Sequence, residues 1–329
     1  MIRTFIHTVL KYLNVNKIIK KGYGLLHNLF LWGDYYEKIF KFILFLVVVF
    51  GIAGVSYQVY SNVRHKTKIT NVNKNKKVSI VALGDSLTQG VGDPKKAGGY
   101  VSRTKQVLNK KGYKHVTAVN YGIAGQRSDQ IDKRVQNNVK GLSSSLKKAN
   151  IIVLTVGGND LLQSLQSNAL VDGKAKFNSR MKQASITYQA KVNRLMNDIR
   201  KENKKAPIYV FGIYNPIYVY FANVDVINQY VKKYNQITSG VVLRNKKAHF
   251  VDITPLSYGQ YKSKAQKEKL VESSDEVTFD PLDILKLDDT KGELNNYISP
   301  DDHFHPNDKG YNYMTGRLVS QLFRFNDWN

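Results

Sequence analysis

The clearest indication of the fold is VSIVALGDSLTQG, residues 78–90. Its first part, VSIVAL at 78–83, is a short run of mainly apolar and β-branched side chains, which is typical of a buried strand. A polar, glycine-bearing loop, GDSLTQG at 84–90, follows the run directly. The stretch therefore predicts a strand that delivers Ser86 to the start of a helix.

The pattern of this stretch repeats along the chain. Four further apolar runs predict buried strands: HVTAVNY (115–121), IIVLTV (151–156), PIYVFGI (207–213) and AHFVDI (248–253). Helices are predicted near 98–111, 127–148, 184–204 and 224–244, and from Pro306, in the first turn, to about Phe325. Strands that alternate with helices favour an α/β fold with a parallel sheet that is covered on both faces.

Three polar loops follow three of the predicted strands. They are GDSLTQG (84–90), GIAGQ (122–126) and GGND (157–160). Because the carboxyl ends of parallel strands meet at one edge of the sheet, where ligands bind, we expect these loops to form the functional site.

Ser86 has two interpretations. It is either the N-cap of the following helix or a nucleophile, and a nucleophile needs a base and a site for an oxyanion. The backbone N–H groups of Ser86 and Gly125 and the side-chain amide of Asn159 would supply three oxyanion donors. The loops therefore carry the donors that acyl transfer requires.

The segment DDHFHPN (301–307) offers two carboxylates and two imidazoles, so its spacing alone permits a metal site, half of a catalytic triad or a polar loop. Asp302 and His305 are three residues apart, and a turn would place both on one face. The carboxylate would then hold Nδ1–H of the imidazole and leave Nε2 facing Ser86. From spacing, Asp301 stays open as the orienting carboxylate.

Several other chemistries lack the residues that they need. The chain has no cysteine, which excludes disulfides and thiolate chemistry. A catalytic zinc needs three protein ligands, and the histidines outside this segment stand alone in the sequence, so no metal is predicted. Those histidines are His7, His27, His65, His115 and His249. Neither a P-loop nor a GxGxxG follows the first strand, so no nucleotide cofactor is predicted, and no GxSxG elbow is present.

With these motifs in place, residues 78–325 resemble the GDSL or SGNH hydrolase family. The four matching blocks are Gly84-Asp85-Ser86-Leu87 with Gly90, Asn120 with Gly122 and Gly125, Gly157-Gly158-Asn159-Asp160, and Asp302-His303-Phe304-His305-Pro306. The resemblance implies a flavodoxin-like three-layer α/β/α sandwich with a five-stranded parallel sheet and no metal or organic cofactor.

The resemblance also implies a role for each site residue. Ser86 would be the nucleophile, Gly125 and Asn159 would complete the oxyanion hole, and Asp302 and His305 would complete the triad. Members of the family hydrolyse esters and thioesters, and the last two blocks look like the membrane-anchored bacterial lysophospholipase-type branch.

The expected function is therefore a serine ester hydrolase that cleaves lipid or lysophospholipid-like acyl esters through an acyl-enzyme. Alternatives are a deacetylase of O-acetylated cell-surface glycan and a catalytically silent module that binds wall polymer or lipid. Residues 213–231 are unusually aromatic and would form either a flexible cover for an acyl chain or ordinary core packing. The long stretch 254–300 would shape the acyl site. No nucleic-acid partner is expected.

The N-terminal part predicts a membrane anchor. The 22 residues between Lys41 and Arg64 carry no formal charge, which is long enough to span a bilayer. The predicted organisation is a basic segment at 1–41, a transmembrane helix at 42–63, a polar linker at 64–77 and a hydrolase domain at 78–329. A single-pass cell-membrane protein with an extracellular catalytic domain is expected, with signal cleavage as the alternative.

The net charge of +25 is spread over both parts of the chain. A cationic surface of this size favours an anionic partner such as acidic lipid or an acidic wall polymer.

Overall fold

The computed structural model describes residues 74–272 and 293–328, all within one of the two units into which the chain divides, residues 72–329. The predicted basic segment 1–41 and transmembrane helix 42–63 lie outside the described residues, as does the linker before residue 74. Within the described ranges, no helix is both long and apolar enough to cross a membrane.

Strands and helices alternate along the described unit. In chain order they are β1 (Lys77–Gly84), α1 (Ser86–Gln89), α2 (Gly99–Lys110), β2 (His115–Gly122), α3 (Ser128–Gln136), a 3-10 helix (Val139–Gly141), α4 (Leu142–Lys148), β3 (Ile151–Thr155), α5 (Gly158–Asn168), α6 (Lys174–Glu202), β4 (Ile208–Phe211), α7 (Asp225–Leu243), β5 (Ala248–Val251), a 3-10 helix (Thr254–Ser257), α8 (Lys264–Glu272) and α9 (Asp308–Phe325).

The five strands form one parallel sheet in the order β2-β1-β3-β4-β5, which is the flavodoxin-like order. The predicted five-stranded parallel sheet is therefore confirmed. Successive side chains of a strand face opposite sides, so the sheet supports two apolar clusters. One cluster packs against α2 and α9, and the other packs against α3 to α7. Two layers of helices thus hold the sheet between them.

The prediction that all five strands are buried is wrong at the edges of the sheet. β2 pairs only with β1, and Val119 on its outer part is 41% exposed. β5 is the other edge, and Val251 is its one fully buried residue. Apolar composition alone does not distinguish an edge strand from a central strand, because both contribute apolar side chains to the clusters beneath the helices.

Helix boundaries differ from the expectations in three places. The helix predicted at 127–148 is broken at Asn138 and Lys140, which adopt positive φ angles of 46° and 52°. The helix predicted at 184–204 begins earlier, at Lys174. Pro306 does not lie in the first turn of α9, because Asn307 is the N-cap and accepts a hydrogen bond from the N–H of Gly310.

Candidate active site

Ser86 is the first residue of α1 and is buried at the carboxyl end of β1. Asp85 precedes it as the N-cap, and its side chain accepts a hydrogen bond from the N–H of Leu87 at 3.0 Å. The N-cap interpretation of Ser86 is therefore wrong, since Asp85 performs that role. The Ser86 hydroxyl is left available for another partner.

His305 is that partner, although it lies 219 residues away in the sequence. Its Nε2 is 2.8 Å from Ser86 Oγ, and its Nδ1 is 2.6 Å from Asp302 Oδ2. An ionised carboxylate only accepts hydrogen bonds, so Nδ1 carries the proton and Nε2 is the acceptor that faces the serine hydroxyl.

The Asp302 carboxylate is fixed by the backbone as well as by the imidazole. Its Oδ1 accepts hydrogen bonds from the N–H of Phe304 at 3.0 Å and from the N–H of His305 at 2.9 Å. Partial burial acts to raise the pKa of Asp302, but the hydrogen bonds from His305 and from these two N–H groups outweigh it and lower the pKa to about 2. Asp302 is therefore anionic at neutral pH.

Asp301 and His303 take no part in this chain of hydrogen bonds. Asp301 is exposed, and its N–H donates to Ser299 Oγ, so Asp302 is the carboxylate that lies against the His305 imidazole. His303 is buried and its Nδ1 lies 2.7 Å from Glu293 Oε2, which makes it a structural residue.

The three expected oxyanion donors lie on adjoining loops. The N–H of Ser86 is at the start of a helix, where no intrahelical acceptor exists. Gly125 has φ of +78°, and the position of its missing Cβ has no atom within 4 Å, so its backbone borders open space. Asn159 Nδ2 donates to Gln126 O at 3.1 Å, which ties the amide to the same loop and leaves its second hydrogen available.

A buried polar network, which the sequence did not indicate, lies next to Ser86. Asp85 Oδ1 accepts a hydrogen bond from Thr155 Oγ1 at 2.7 Å, and Thr155 Oγ1 lies 2.7 Å from Thr88 Oγ1. Burial raises the pKa of Asp85, against the hydrogen bonds from Thr155 and Leu87. The network joins α1 to β3 beside the position where Ser86 begins the helix.

Arg134 adds a second support that the sequence did not reveal. Its guanidinium donates to Tyr121 O at 2.7 Å and to Gly84 O at 3.0 Å. These carbonyls end the two strands that lead into the first two loops of the site. A single arginine within a predicted helix carries no sequence signal that would place its guanidinium at these two carbonyls.

The turn that carries Asp302 and His305 is held from its far side. Tyr214 Oη donates to Phe304 O at 2.7 Å, and Tyr220 Oη lies 3.2 Å from His303 Nδ1. Both tyrosines come from the aromatic stretch 213–231. Much of this stretch packs as core, because Ile217 and Val219 are 2% and 3% exposed. The core-packing alternative therefore accounts for these residues.

An apolar cleft of about 70 Å³ lies beside the site. Its lining includes Gly158, Leu161, Leu165, Ile213, Ile217 and Phe304. Gly158 precedes Asn159 and Phe304 precedes His305, so the cleft borders both the oxyanion side and the base side. In the described ranges, no group of three His, Cys, Asp or Glu residues has a metal-binding arrangement.

The sequence model of the GDSL-like Lipase/Acylhydrolase family matches residues 82–313. The uncharacterized protein YpmR of Bacillus subtilis is 27% identical over 258 residues, which cover 78% of this chain and 86% of that protein. The spore germination lipase LipC of Bacillus licheniformis is 26% identical over 163 residues, covering 48% of this chain and 72% of that protein. The lipase Lip_vut3 from a goat rumen metagenome has a similar fold, with a TM-score of 0.55 and 22% identity over 74% of this chain and 97% of that one.

Proposed function

This chain belongs to the GDSL-like lipase/acylhydrolase family and is a carboxylic ester hydrolase, and from that premise we propose that Ser86, His305 and Asp302 are its catalytic triad. The observation that carries the proposal is the continuous line of hydrogen bonds, 2.8 Å from Ser86 Oγ to His305 Nε2 and 2.6 Å from His305 Nδ1 to Asp302. This geometry supplies a nucleophile, a base and an orienting carboxylate in one line.

The proposed reaction has two steps. Ser86 Oγ attacks the acyl carbonyl while His305 Nε2 accepts the hydroxyl proton, and the anionic Asp302 stabilises the imidazolium. The imidazolium then protonates the departing alcohol, which leaves an acyl-enzyme. In the second step, His305 takes a proton from water, the resulting hydroxide attacks the acyl-enzyme, and the proton returns to Ser86 Oγ as the acid is released.

The oxyanion of each tetrahedral intermediate would be bound by the N–H groups of Ser86 and Gly125 and by the Asn159 amide. Loss of one such donor typically costs about 3 kcal/mol of barrier. Asn159→Ala should therefore lower kcat by about 10²-fold while leaving KM much less affected.

Ser86→Ala tests the nucleophile. The variant should lose turnover of p-nitrophenyl butyrate and labelling by a fluorophosphonate probe, and its thermal unfolding midpoint should stay near that of the wild type. Ser102→Ala, which changes a partly buried serine of α2, is the matched control and should keep both activities. Turnover by Ser86→Ala would overturn the assignment.

The apolar cleft supports an acyl ester as the substrate. At about 70 Å³, it is small beside the roughly 300–1,000 Å³ of typical ligand pockets. We therefore propose that short acyl chains are preferred, and that lipid-like or lysophospholipid-like chains extend beyond the cleft. A p-nitrophenyl ester series from acetyl to palmitoyl should show its highest kcat/KM at short chain lengths.

A deacetylase acting on O-acetylated cell-surface glycan is the second candidate, because the same small cleft would accept an acetyl group. An O-acetylated oligosaccharide whose kcat/KM exceeded that of p-nitrophenyl acetate would favour it. The third expectation, a silent binding module, is set aside because the chain belongs to a family of acylhydrolases, and such a module has no use for the aligned Ser86, His305 and Asp302.

We also propose that residues 42–63 anchor the enzyme in the cell membrane as a single span, with residues 78–329 outside the cell. The support is the uncharged apolar stretch in the sequence. Protease added to intact cells should remove the hydrolase domain, whereas protection of that domain until lysis would refute the orientation.

A further inference from the structure

The edge of the sheet opposite the active site is strongly basic. Six segments meet there, at the start of β1, in the loops that lead into the other strands, and at the end of α9. We call them together the basic face, which comprises residues 74–77, 110–115, 146–150, 200–207, 244–249 and 323–328. The basic face holds sixteen lysines and arginines against two carboxylates, those of Glu202 and Asp327.

Hydrogen bonds join the central loops of this face into one surface. Asn203 Nδ2 donates to Leu146 O at 2.7 Å, which joins the loop before β4 to the loop before β3. The Arg200 guanidinium donates to Lys246 O at 2.9 Å, which joins the loop before β4 to the loop before β5. The lysines of these three loops are exposed, so their charges face the same solvent region.

The outer part of the face is joined in the same way. The N–H of Lys114 donates to Lys74 O at 3.0 Å, so the loop before β2 lies against the start of the described chain. Lys111 Nζ lies 5.1 Å from the centre of the Phe323 ring, which brings the end of α9 beside that loop. Phe323 and Phe325 are 37% and 42% exposed, so two aromatic rings lie among the cations.

The active edge has the opposite charge balance. Its segments are residues 85–99, 122–128, 156–160, 212–225, 252–263 and 293–308. They hold four lysines and arginines against nine aspartates and glutamates. Within the described residues, positive charge is therefore concentrated where the strands begin and negative charge where they end. An anionic surface would attract the edge where the strands begin, which is opposite Ser86.

We propose that the basic face docks on a bilayer of anionic lipid. Lysine and arginine side chains are attracted to the negative surface of an anionic leaflet, and exposed aromatic rings suit the interface between headgroups and acyl chains. The chain enters the described unit at Lys74, on this same face, and the uncharged apolar stretch lies shortly before it in the sequence. The anionic bilayer and the connection to the apolar stretch would thus lie on the same side of the described unit.

Docking in this direction fixes where the chemistry takes place. β1 is 8 residues long, so at about 3.3 Å per residue the strand spans about 26 Å. It thus separates the basic face, at its start, from the loop that carries Ser86, at its end. The active edge would face away from the lipid. This consequence, which rests on the proposed function, favours esters presented outside the bilayer over acyl chains still embedded in it.

The experiment uses the full chain reconstituted into vesicles. Because the sequence has no cysteine, a single introduced cysteine can carry an environment-sensitive fluorophore. Lys205→Cys places the fluorophore on the basic face, and Lys262→Cys places it on the active edge. Both side chains are exposed, so the two positions are matched.

In vesicles containing phosphatidylglycerol, the fluorophore at position 205 should be quenched by a lipid-borne quencher and the one at position 262 should not. About 0.5 M salt should reverse the quenching, because it shortens the screening length to a few ångströms. Pure phosphatidylcholine vesicles should give no quenching at either position. This measurement is independent of ester turnover, so it can fail while the proposed reaction stands.

A charge-reversal pair completes the test. Lys114→Glu, Lys204→Glu and Lys246→Glu together should abolish the quenching at position 205. The matched control is Lys174→Glu, Lys176→Glu and Lys182→Glu, which changes the net charge equally at the far end of α6 and should leave it intact. Both triple variants should hydrolyse a soluble ester at the wild-type rate.

Four results would overturn the proposal. The first three are equal quenching at positions 205 and 262, quenching at 262 alone, and loss of quenching in the control triple. In the fourth, the fluorophore at position 205 responds to a soluble polyanionic polymer but not to phosphatidylglycerol vesicles. That outcome would assign the basic face to an acidic polymer instead.

Discussion

Replacing Asp302 by asparagine tests the geometry of the site most sharply. The side-chain oxygen that accepts hydrogen bonds from the N–H groups of Phe304 and His305, at 3.0 and 2.9 Å, would stay where it is. The new NH2 group would then take the place of Oδ2, which now lies 2.6 Å from His305 Nδ1. Since that group only donates, Nδ1 would become the acceptor.

The change of tautomer would disable the base. With Nδ1 as the acceptor, the proton of the neutral imidazole moves to Nε2, which faces Ser86 Oγ at 2.8 Å and could no longer accept the serine proton. A wrong tautomer in a triad of this kind costs about 10³–10⁴-fold in kcat, or about 4–5 kcal/mol of barrier. KM should change little, because the substrate does not contact Asp302 in this scheme.

The assay is steady-state hydrolysis of p-nitrophenyl butyrate, with Asp301→Asn as the matched control. Asp301 is adjacent, exposed and equally charged, so its substitution should leave kcat within about twofold, as is usual for surface changes. If Asp302→Asn kept a tenth or more of the wild-type kcat, or if Asp301→Asn fell as far, the assigned roles would be wrong.

The same substitution has a predictable pH dependence in stability. The folded pKa of Asp302, about 2, is below its ordinary value, so the carboxylate stabilises the fold above about pH 4, and that contribution is lost as the pH falls from about 4 to about 2. The difference in unfolding free energy between wild type and Asp302→Asn should shrink as the pH falls from about 4 to about 2. A difference that grew on acidification would contradict this reasoning.

Three further substitutions test the supports of the site and the core. Gly92→Ala should lower kcat by about 10²-fold, because its Cβ would lie 2.8 Å from Cβ of His305, the proposed base. The control is Gly141→Ala, which has a similar positive φ and nothing within 4 Å of the added Cβ, so it should cost only about 1–2 kcal/mol of stability. Unaltered kcat in the first variant would argue against a fixed base. Glu293→Ala should lower the free energy of unfolding in urea by about 1–3 kcal/mol, because it removes the 2.7 Å acceptor of a buried imidazole, and Glu293→Gln should retain most of that stability. Asp132→Asn should raise the thermal midpoint at pH 7 but hardly at pH 4. Burial and the nearby charge of Asp198 raise the pKa of Asp132 to about 6. A carboxyl whose pKa is raised in the folded state lowers stability as the pH rises from about 4 to about 6. An equal effect of this last substitution at pH 4 and pH 7 would show that the carboxyl is not buried as described.

The parts of the fold that the sequence predicts well are those with a strong local signal. The central strands β1, β3 and β4 are continuous apolar runs, and each of the first three strands ends in a glycine-bearing polar loop. Parallel strands bring such loops to one edge, so the sequence alone predicts that Ser86 and Asn159 lie at the same edge of the sheet.

Other features depend on tertiary contacts and leave little local trace. The exposure of β2 follows from its place at the edge of the sheet, and α5 begins inside the loop that carries Asn159. Arg134 and Tyr214 support the site by donating to backbone carbonyls, and a carbonyl acceptor has no sequence signature. These contacts require the whole fold to be assembled.

The distance along the chain between Ser86 and His305, 219 residues, has a consequence for the cell that makes this enzyme. Under the proposed triad, the nucleophile is synthesised early and its base late, so a growing polypeptide lacks the base of Ser86 until residues past the last β-strand have been added. Premature termination anywhere in that interval should therefore yield a product that does not hydrolyse esters.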